Sequence, residues 1–356
     1  SLFGVKYLTA MIISAIVIVA YTTLGGFLAA STTDFIQSII MSVALIVVLI
    51  FGVETAGGIG AVIHNASELP GYLSMTLSYD VNTGKAAPYS ALTIVSTAAW
   101  GLGYFGMPHI LLRFMAIEDE KKLKLSRRVA TIWVVISLFV AVFIGVIGYT
   151  MSKVGALEML TGSNSETIIV KISALLSQHG VIFALLAGVI LAGILASTMS
   201  TSDSQLLAAS SAVSSDILGA FRKDSSNKNG SMAAARITLL VISVVAAFIA
   251  RNPDSSVFAI VSFAWAGFGA AFGPVVLFSL FWKRTNKWGA LAGMVCGGSM
   301  VFIWKYLIRP LGGIWNIYEL LPAFLIACAA IVIVSLLTPK PSKEIEEEFD
   351  RVAQMK

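Results

Sequence analysis

Long apolar runs, separated by short polar stretches, recur from one end of the chain to the other. A helix needs about 20 apolar residues to cross a bilayer, and nine runs reach that length. We predict spans over residues 5–28, 33–53, 90–114, 128–152, 181–219, 231–251, 255–282, 287–308 and 316–338. Hydrophobic residues make up 57% of the chain and charged residues 12%, a balance that soluble domains do not have. The sequence therefore predicts an all-α, polytopic membrane protein.

The residues that usually build metal centres and disulfide frameworks are scattered. Cys296 and Cys328 lie in apolar runs, and His64, His109 and His179 are far apart in the sequence. An intramembrane hydrolase would need serine, histidine and aspartate side chains placed together, and no motif does so. We therefore predict that the protein is not an enzyme. A net charge of +5 is ordinary for a membrane protein and indicates no nucleic-acid partner.

Basic residues predict how the chain lies in the membrane. Most of the 24 lysines and arginines fall in loops on one side and in the tail. The positive-inside rule puts that side and the C-terminus in the cytoplasm, and we expect a bacterial inner membrane. Nine spans then place Ser1 outside. Because the chain also starts without methionine or a charged leader, we expect it to be a piece of a longer protein.

The stretch from Ala192 to Ser211 is rich in hydroxyl side chains although it lies inside an apolar run. On a helix, four hydroxyls spaced i, i+3, i+4 and i+7 line one face, namely Ser197, Ser200, Thr201 and Ser204, with Asp203 beside it. Hydroxyl and carboxylate oxygens suit a small hard cation. We therefore hypothesise a Na⁺ site on this helix. The alternative is that the hydroxyls bond back to their own helix or let helices pack closely.

The third predicted span cannot be a straight helix, because Gly101, Gly103, Gly106 and Pro108 fall within it. Freed backbone groups at membrane depth are tolerated only where protein or a cavity satisfies them, and broken helices of this kind build transporter substrate sites. Trp100 and Tyr104 are four residues apart, so we expect them to share a face beside the break. Such a site suits a small zwitterion with an apolar ring. The alternative is a proline kink with Trp100 in an interfacial belt.

Two further glycine-containing stretches interrupt predicted spans. After Gly25-Gly26 we expect Asp34 to open the next helix, with Thr32 or Thr33 as its N-cap. The functional alternative is that Asp34 helps an ion to leave toward the cytoplasm. In the seventh span, Gly273-Pro274 predicts a hinge.

Several short motifs occur together and in order along the chain. They are Tyr21 with Gly25-Gly26-Phe27 and Thr33-Asp34, Gly103 to His109, Met199-Ser200-Thr201 with Gln205-Leu206-Leu207, Trp265 to Gly269, and Arg284 ahead of Gly289-Ala290. In these residues the chain resembles the sodium:solute symporter family and, within it, the sodium/proline symporters. The resemblance covers essentially the whole chain.

The resemblance implies a fold of ten core helices in two inverted repeats of five, plus peripheral helices. Residues 1–53 would be the last two helices of the first repeat and 54–89 an outer loop. Residues 90–283 would be the second repeat, 284–338 peripheral helices and 339–356 a cytoplasmic tail. The first three core helices would be absent, so the chain would hold only half of each site.

The resemblance also implies roles for individual residues. Ser200 and Thr201 correspond to sodium-binding hydroxyls and Ser197 to a carbonyl ligand, while Trp100, Tyr104 and Pro108 correspond to residues that bind proline. A possible second sodium site or ion exit would involve Asp34, Asp203 and Ser204. A carboxylate at 203, where other members have hydroxyls, either strengthens that site or pairs internally. Flexing is expected at the hinge residues Gly106, Gly273 and Pro274.

From these residues we expect a symporter that uses Na⁺ as the co-transported ion and imports L-proline by alternating access. A sugar, sialic acid, pantothenate or a related compatible solute is the alternative substrate within the same family. A channel is disfavoured because no repeated pore loop is present. The tail after Pro339 is too short for the output domain of a transporter-like sensor. Besides the solute and the lipid bilayer, we infer no obligate protein partner.

Overall fold

The structure is a computed structural model that describes residues 6–221, 228–251 and 257–354. Thirteen α-helices and a two-stranded sheet are found in these residues. The helices are α1 (Tyr7–Thr55), α2 (Ile59–Ser67), α3 (Ala91–Ala98), α4 (Pro108–Met115), α5 (Leu123–Lys153), α6 (Ile168–Leu176), α7 (Val181–Ser211), α8 (Leu218–Phe221), α9 (Lys228–Ile249), α10 (Val257–Phe281), α11 (Lys287–Ile303), α12 (Leu320–Leu337) and α13 (Lys343–Gln354). The strands are β1 (Leu77–Asp80) and β2 (Lys85–Pro88), so the predicted outer loop contains α2 and a small hairpin.

Seven helices among the described residues are long and apolar enough to cross a membrane. The first of them, α1, has 49 residues and reaches about 74 Å, more than twice the hydrocarbon thickness of about 30 Å. It therefore accounts for two of the predicted spans. The span predicted over 90–114 is divided into α3, a 3-10 helix over Ala99–Gly106 and α4, each too short to cross alone. The all-α membrane architecture is confirmed.

The long helix α1 is broken at Gly26, whose φ of 60° and ψ of −155° lie outside the helical region. Glycine adopts this conformation at little cost because it has no Cβ. The helix resumes directly after Gly26, so the expectation that Asp34 opens a helix is wrong. The hydroxyls of Thr32 and Thr33 donate to the carbonyl oxygens of Leu28 and Ala29, at 2.9 Å each, instead of capping a terminus.

The helices form two compact units. In the first unit, α1 packs against α7 and α5 around a core that includes Val48, Ile144, Ile147 and Ile190. In the second unit, α10, α11 and α12 pack around Ala266, Ala270, Val301 and Leu320. Helices from the predicted second repeat occur in both units, since α5, α7 and α9 belong to the first and α3, α4 and α10 to the second. The repeat boundaries stay a prediction.

The 3-10 helix lies so close to α10 that two of its glycines have no room for a side chain. A Cβ on Gly106 would overlap the carbonyl oxygen of Phe268 and lie 2.9 Å from the Cα atom of Gly269. A Cβ on Gly103 would overlap the indole ring of Trp265. Gly101, in the same 3-10 helix, has open space around it. The close approach, and not a positive φ, is what requires glycine at 103 and 106.

We expect the variant Gly106→Ala to lower the thermal unfolding temperature of the purified protein in detergent. An added methyl group would have to push α10 away, and overpacking of this kind costs about 1–3 kcal/mol. Gly101→Ala is the matched control and should leave the unfolding temperature within the error of the measurement. Equal unfolding temperatures for the two variants would contradict the close approach.

Candidate functional site

The hydroxyl side chains predicted to bind sodium lie on α7, which runs without interruption through them. Ser200 Oγ and Thr201 Oγ1 donate to the carbonyl oxygen of Ser197, at 3.1 and 3.2 Å. The alternative that these hydroxyls bond back to their own helix therefore describes the geometry. This geometry is compatible with cation binding, because a hydroxyl that donates a hydrogen bond still has lone pairs on its oxygen.

The backbone carbonyl oxygen of Ser197 is less available to a cation than the two hydroxyl oxygens. Its oxygen already accepts hydrogen bonds from both hydroxyls, so a cation at this oxygen competes with them. The side chains of Ser197 and Thr201 are exposed, and that of Ser200 is partly buried. The Ser197 carbonyl oxygen is therefore more fully engaged than the two hydroxyl oxygens, and the roles of Ser197, Ser200 and Thr201 in binding sodium stay a prediction.

Asp203 is fully buried on the same helix, at 0% exposure. Its Oδ2 accepts a hydrogen bond from the Tyr21 hydroxyl at 2.7 Å, and its Oδ1 accepts one from Ser204 Oγ at 3.2 Å. A buried carboxylate needs such partners, because burying it without them is costly. The arrangement supports the alternative in which Asp203 pairs internally. Among the described residues, no group of three or more His, Cys, Asp or Glu side chains is placed to hold a metal ion.

Tyr21 connects this carboxylate with the other acidic residue named from the sequence. It lies on the part of α1 before Gly26, and its hydroxyl also approaches the Met199 carbonyl oxygen at 3.4 Å. Asp34, on the part of α1 after Gly26, is half-buried and interacts electrostatically with Tyr21. From the sequence, Tyr21 was named only as part of a motif. The signal for its role is that a phenol at membrane depth needs a hydrogen-bond partner.

In the second unit, the 3-10 helix carries two of the predicted substrate residues, Trp100 and Tyr104. The Trp265 indole N–H donates to the Trp100 carbonyl oxygen at 3.0 Å, so a carbonyl in the broken stretch finds a partner on α10. The ring of Trp100 stacks on those of Trp265, Phe258 and Tyr318, with centroids 5.4, 5.6 and 6.0 Å apart. The ring of Tyr104 meets Trp265 edge-on at 4.8 Å. We call these five residues the aromatic cluster.

Trp100 and Tyr104 come together for a different reason from the one expected. A 3-10 helix has three residues per turn, so positions four apart point about 120° away from each other. The expectation of one shared helical face is therefore wrong, and the two rings are instead joined through Trp265, which both contact. Tyr104 remains 47% exposed and Phe258 is also exposed, so both rings are accessible beside Trp100, Trp265 and Tyr318, which are partly buried.

Pro108 and Gly106 lie at the end of the broken stretch, and Gly273 of α10 lies beside Gly106. Pro108 is the first residue of α4, where its missing N–H costs no hydrogen bond. Gly273 is buried, and a Cβ on Gly106 would lie 2.9 Å from its backbone nitrogen. Pro274 lies inside α10, which continues to Phe281. Gly106 thus lies against Gly273, the residue before Pro274, and the role of these three residues as a hinge stays a prediction.

A family model described as the sodium:solute symporter family matches residues 1–297. The chain is 38% identical to the osmoregulated proline transporter OpuE of Bacillus subtilis, over 96% of this chain and 66% of the relative. It is 39% identical to the sodium/proline symporter of Haemophilus influenzae (99% and 68%) and 37% identical to that of Escherichia coli (98% and 66%). The chain thus spans about two thirds of the length of these curated relatives.

A solved structure shares the fold. It is a Na⁺-coupled sialic acid symporter in a substrate-bound outward-open state, and the TM-score is 0.74 over 95% of this chain and 68% of that one. The two sequences are 18% identical, so the likeness concerns the fold alone.

Proposed function

The chain belongs to the sodium:solute symporter family, and we propose that the full-length protein uses Na⁺ entry to drive the uptake of L-proline. The observation that carries the proposal is the aromatic cluster at the broken stretch, where Tyr104 stays accessible beside Trp265. Relatives at 37–39% identity are named for proline transport. Sialic acid, a sugar, pantothenate or another compatible solute is the second candidate within the family.

In the proposed substrate site, the pyrrolidine ring of proline packs against the exposed face of Tyr104 beside Trp100 and Trp265. Aromatic rings suit an apolar ring and a substituted ammonium group alike, because their faces carry partial negative charge. The carboxylate is oriented by the N-terminus of α4, which Pro108 opens and where the helix dipole favours an anion.

In the proposed sodium site, Ser200 and Thr201 bind the ion through their hydroxyl oxygens. Oxygen ligands suit a small hard cation, and both hydroxyls keep acceptor lone pairs while donating to Ser197. Sodium entry supplies roughly 2.3 kcal/mol per charge for each 100 mV of membrane potential. Asp34 would assist release of the ion toward the cytoplasm.

We also propose the orientation and the moving parts. The relatives are transporters and this chain is a multi-pass membrane protein, so no catalytic step is assigned.

The positive-inside rule supports a cytoplasmic C-terminus in a bacterial inner membrane. Alternating access would flex the contact between Gly106 and the Gly273-Pro274 pair, within the predicted repeat 90–283.

The proposal is tested by uptake of labelled L-proline into vesicles that contain the full-length protein. Uptake should require an inward Na⁺ gradient, vanish when K⁺ replaces Na⁺, and be blocked by excess unlabelled proline. Sialic acid, a sugar and pantothenate serve as competitors. If one of these blocks uptake better than proline does, the substrate assignment is wrong and the ion assignment stands.

For the sodium site, we expect Ser200→Ala and Thr201→Ala to raise the Na⁺ concentration that gives half-maximal proline uptake. Losing one oxygen ligand should shift it by about tenfold, the equivalent of roughly 1.4 kcal/mol. Ser202→Ala is the matched control, because Ser202 Oγ donates to the Thr198 carbonyl oxygen in the same way, at 2.8 Å. If the half-saturating Na⁺ concentration is the same in all three variants, Ser200 and Thr201 do not bind the ion.

For the substrate site, we expect Trp100→Ala and Tyr104→Ala to raise the KM for proline by about tenfold or more. Each variant removes an aromatic contact of about 0.5–1.5 kcal/mol together with the packing around it. The half-saturating Na⁺ concentration at saturating proline should change much less. Trp288→Ala removes an exposed tryptophan outside the cluster and should leave both constants unchanged. Equal losses for proline and sodium would indicate misfolding.

A further inference from the structure

Glu319 is buried at the start of α12, with 1% of its side chain exposed. Arg309 Nη1 lies 2.8 Å from its Oε2, and Lys305 Nζ lies 3.7 Å from its Oε1. Two cations therefore share one buried carboxylate. A buried carboxylate is costly unless it is paired, so this group fixes the chain around it tightly.

The two cations are themselves held in place. Lys305 Nζ lies 3.9 Å from the centre of the Phe263 ring on α10, and Arg309 Nε donates to Asn316 Oδ1 at 3.0 Å. The segment between α11 and α12 is thus tied to α10 at one end and to Glu319 at the other.

Tyr318, the neighbour of Glu319, reaches the aromatic cluster. Its backbone N–H donates to Ser96 Oγ at 3.1 Å, and its hydroxyl donates to the Ser262 carbonyl oxygen at 2.6 Å. Its ring stacks on Trp100 at 6.0 Å with an interplanar angle of 16°.

We propose that Glu319 is a positioning residue for the substrate site: its ion pairs with Arg309 and Lys305 hold Tyr318 where that ring supports Trp100. The inference rests on the proposed role of Trp100 in binding proline. Glu319 acts through its neighbour, because Tyr318 and not Glu319 contacts the cluster. A zwitterionic solute would then contact aromatic rings whose position depends on the buried charge of Glu319.

The variant Glu319→Gln keeps the shape of the side chain and removes its charge. We expect the KM for proline to rise roughly two- to tenfold, the size of one aromatic pair interaction, with the half-saturating Na⁺ concentration unchanged. The control is Glu158→Gln, whose carboxylate pairs with Lys171 at 2.6 Å but is 66% exposed; it should leave both constants unchanged.

A second measurement reads the position of the rings without transport. The near-ultraviolet circular dichroism of stacked Trp100 is obtained as the difference between the wild type and Trp100→Phe. Glu319→Gln should lose most of this difference signal, while Glu158→Gln should keep it. A signal that survives in a folded Glu319→Gln variant overturns the proposal, whichever solute the protein carries. Loss of the signal in a protein that does not transport proline supports the positioning role and rejects the proposed substrate.

Two further variants cover the case in which Glu319→Gln does not fold. Ser96→Ala removes the acceptor of the Tyr318 N–H without touching a charge, and it should shift the KM and the signal in the same direction by a smaller amount. Tyr318→Leu removes the ring, and adding Glu319→Gln or Ser96→Ala to it should cause no further rise in KM. Effects that multiply in either double variant would show that the residues act independently of Tyr318, and the proposal would fall.

Discussion

Every backbone polar group at membrane depth has to find a partner within the protein, since lipid offers none. The chain leaves regular helix at Gly26 and again over Ala99–Gly106, so these two places depend on their neighbours. At the second place, α10 supplies both a partner, through the Trp265 indole N–H, and a surface close enough to exclude other atoms. The sequence of α10 is therefore constrained by a break that occurs about 160 residues earlier.

The same requirement explains how charges and hydroxyls are arranged. The buried carboxylate of Asp203 accepts a hydrogen bond from the Tyr21 hydroxyl, and the buried carboxylate of Glu319 forms ion pairs with two cations. The hydroxyls of Ser200 and Thr201 donate hydrogen bonds within α7 and keep the lone pairs on their oxygens. Each of these groups has a partner. The hydroxyl oxygen of Thr201 in one unit and the ring of Tyr104 in the other stay exposed.

Local patterns predicted the helical runs, the break near Gly103 and the hydroxyl-rich stretch of α7, because hydropathy, glycine and proline act over a few residues. The N-cap at Thr32 or Thr33 was wrong because the helix can resume directly after a glycine with positive φ. The shared face of Trp100 and Tyr104 was wrong because the stretch is a 3-10 helix. The partners Tyr21, Trp265 and Tyr318 come from distant parts of the chain, and no local spacing indicates which of them meet.

If Na⁺ drives proline uptake as proposed, proline and Na⁺ bind to one protein and stabilise each other there. The direct measurement is calorimetric titration of the purified full-length protein with L-proline in Na⁺ and in K⁺, and with Na⁺ in the presence and absence of proline. We predict that Na⁺ lowers the Kd for proline by the same factor by which proline lowers the Kd for Na⁺, because linkage is reciprocal. A proline affinity that is the same in Na⁺ and K⁺ would contradict it.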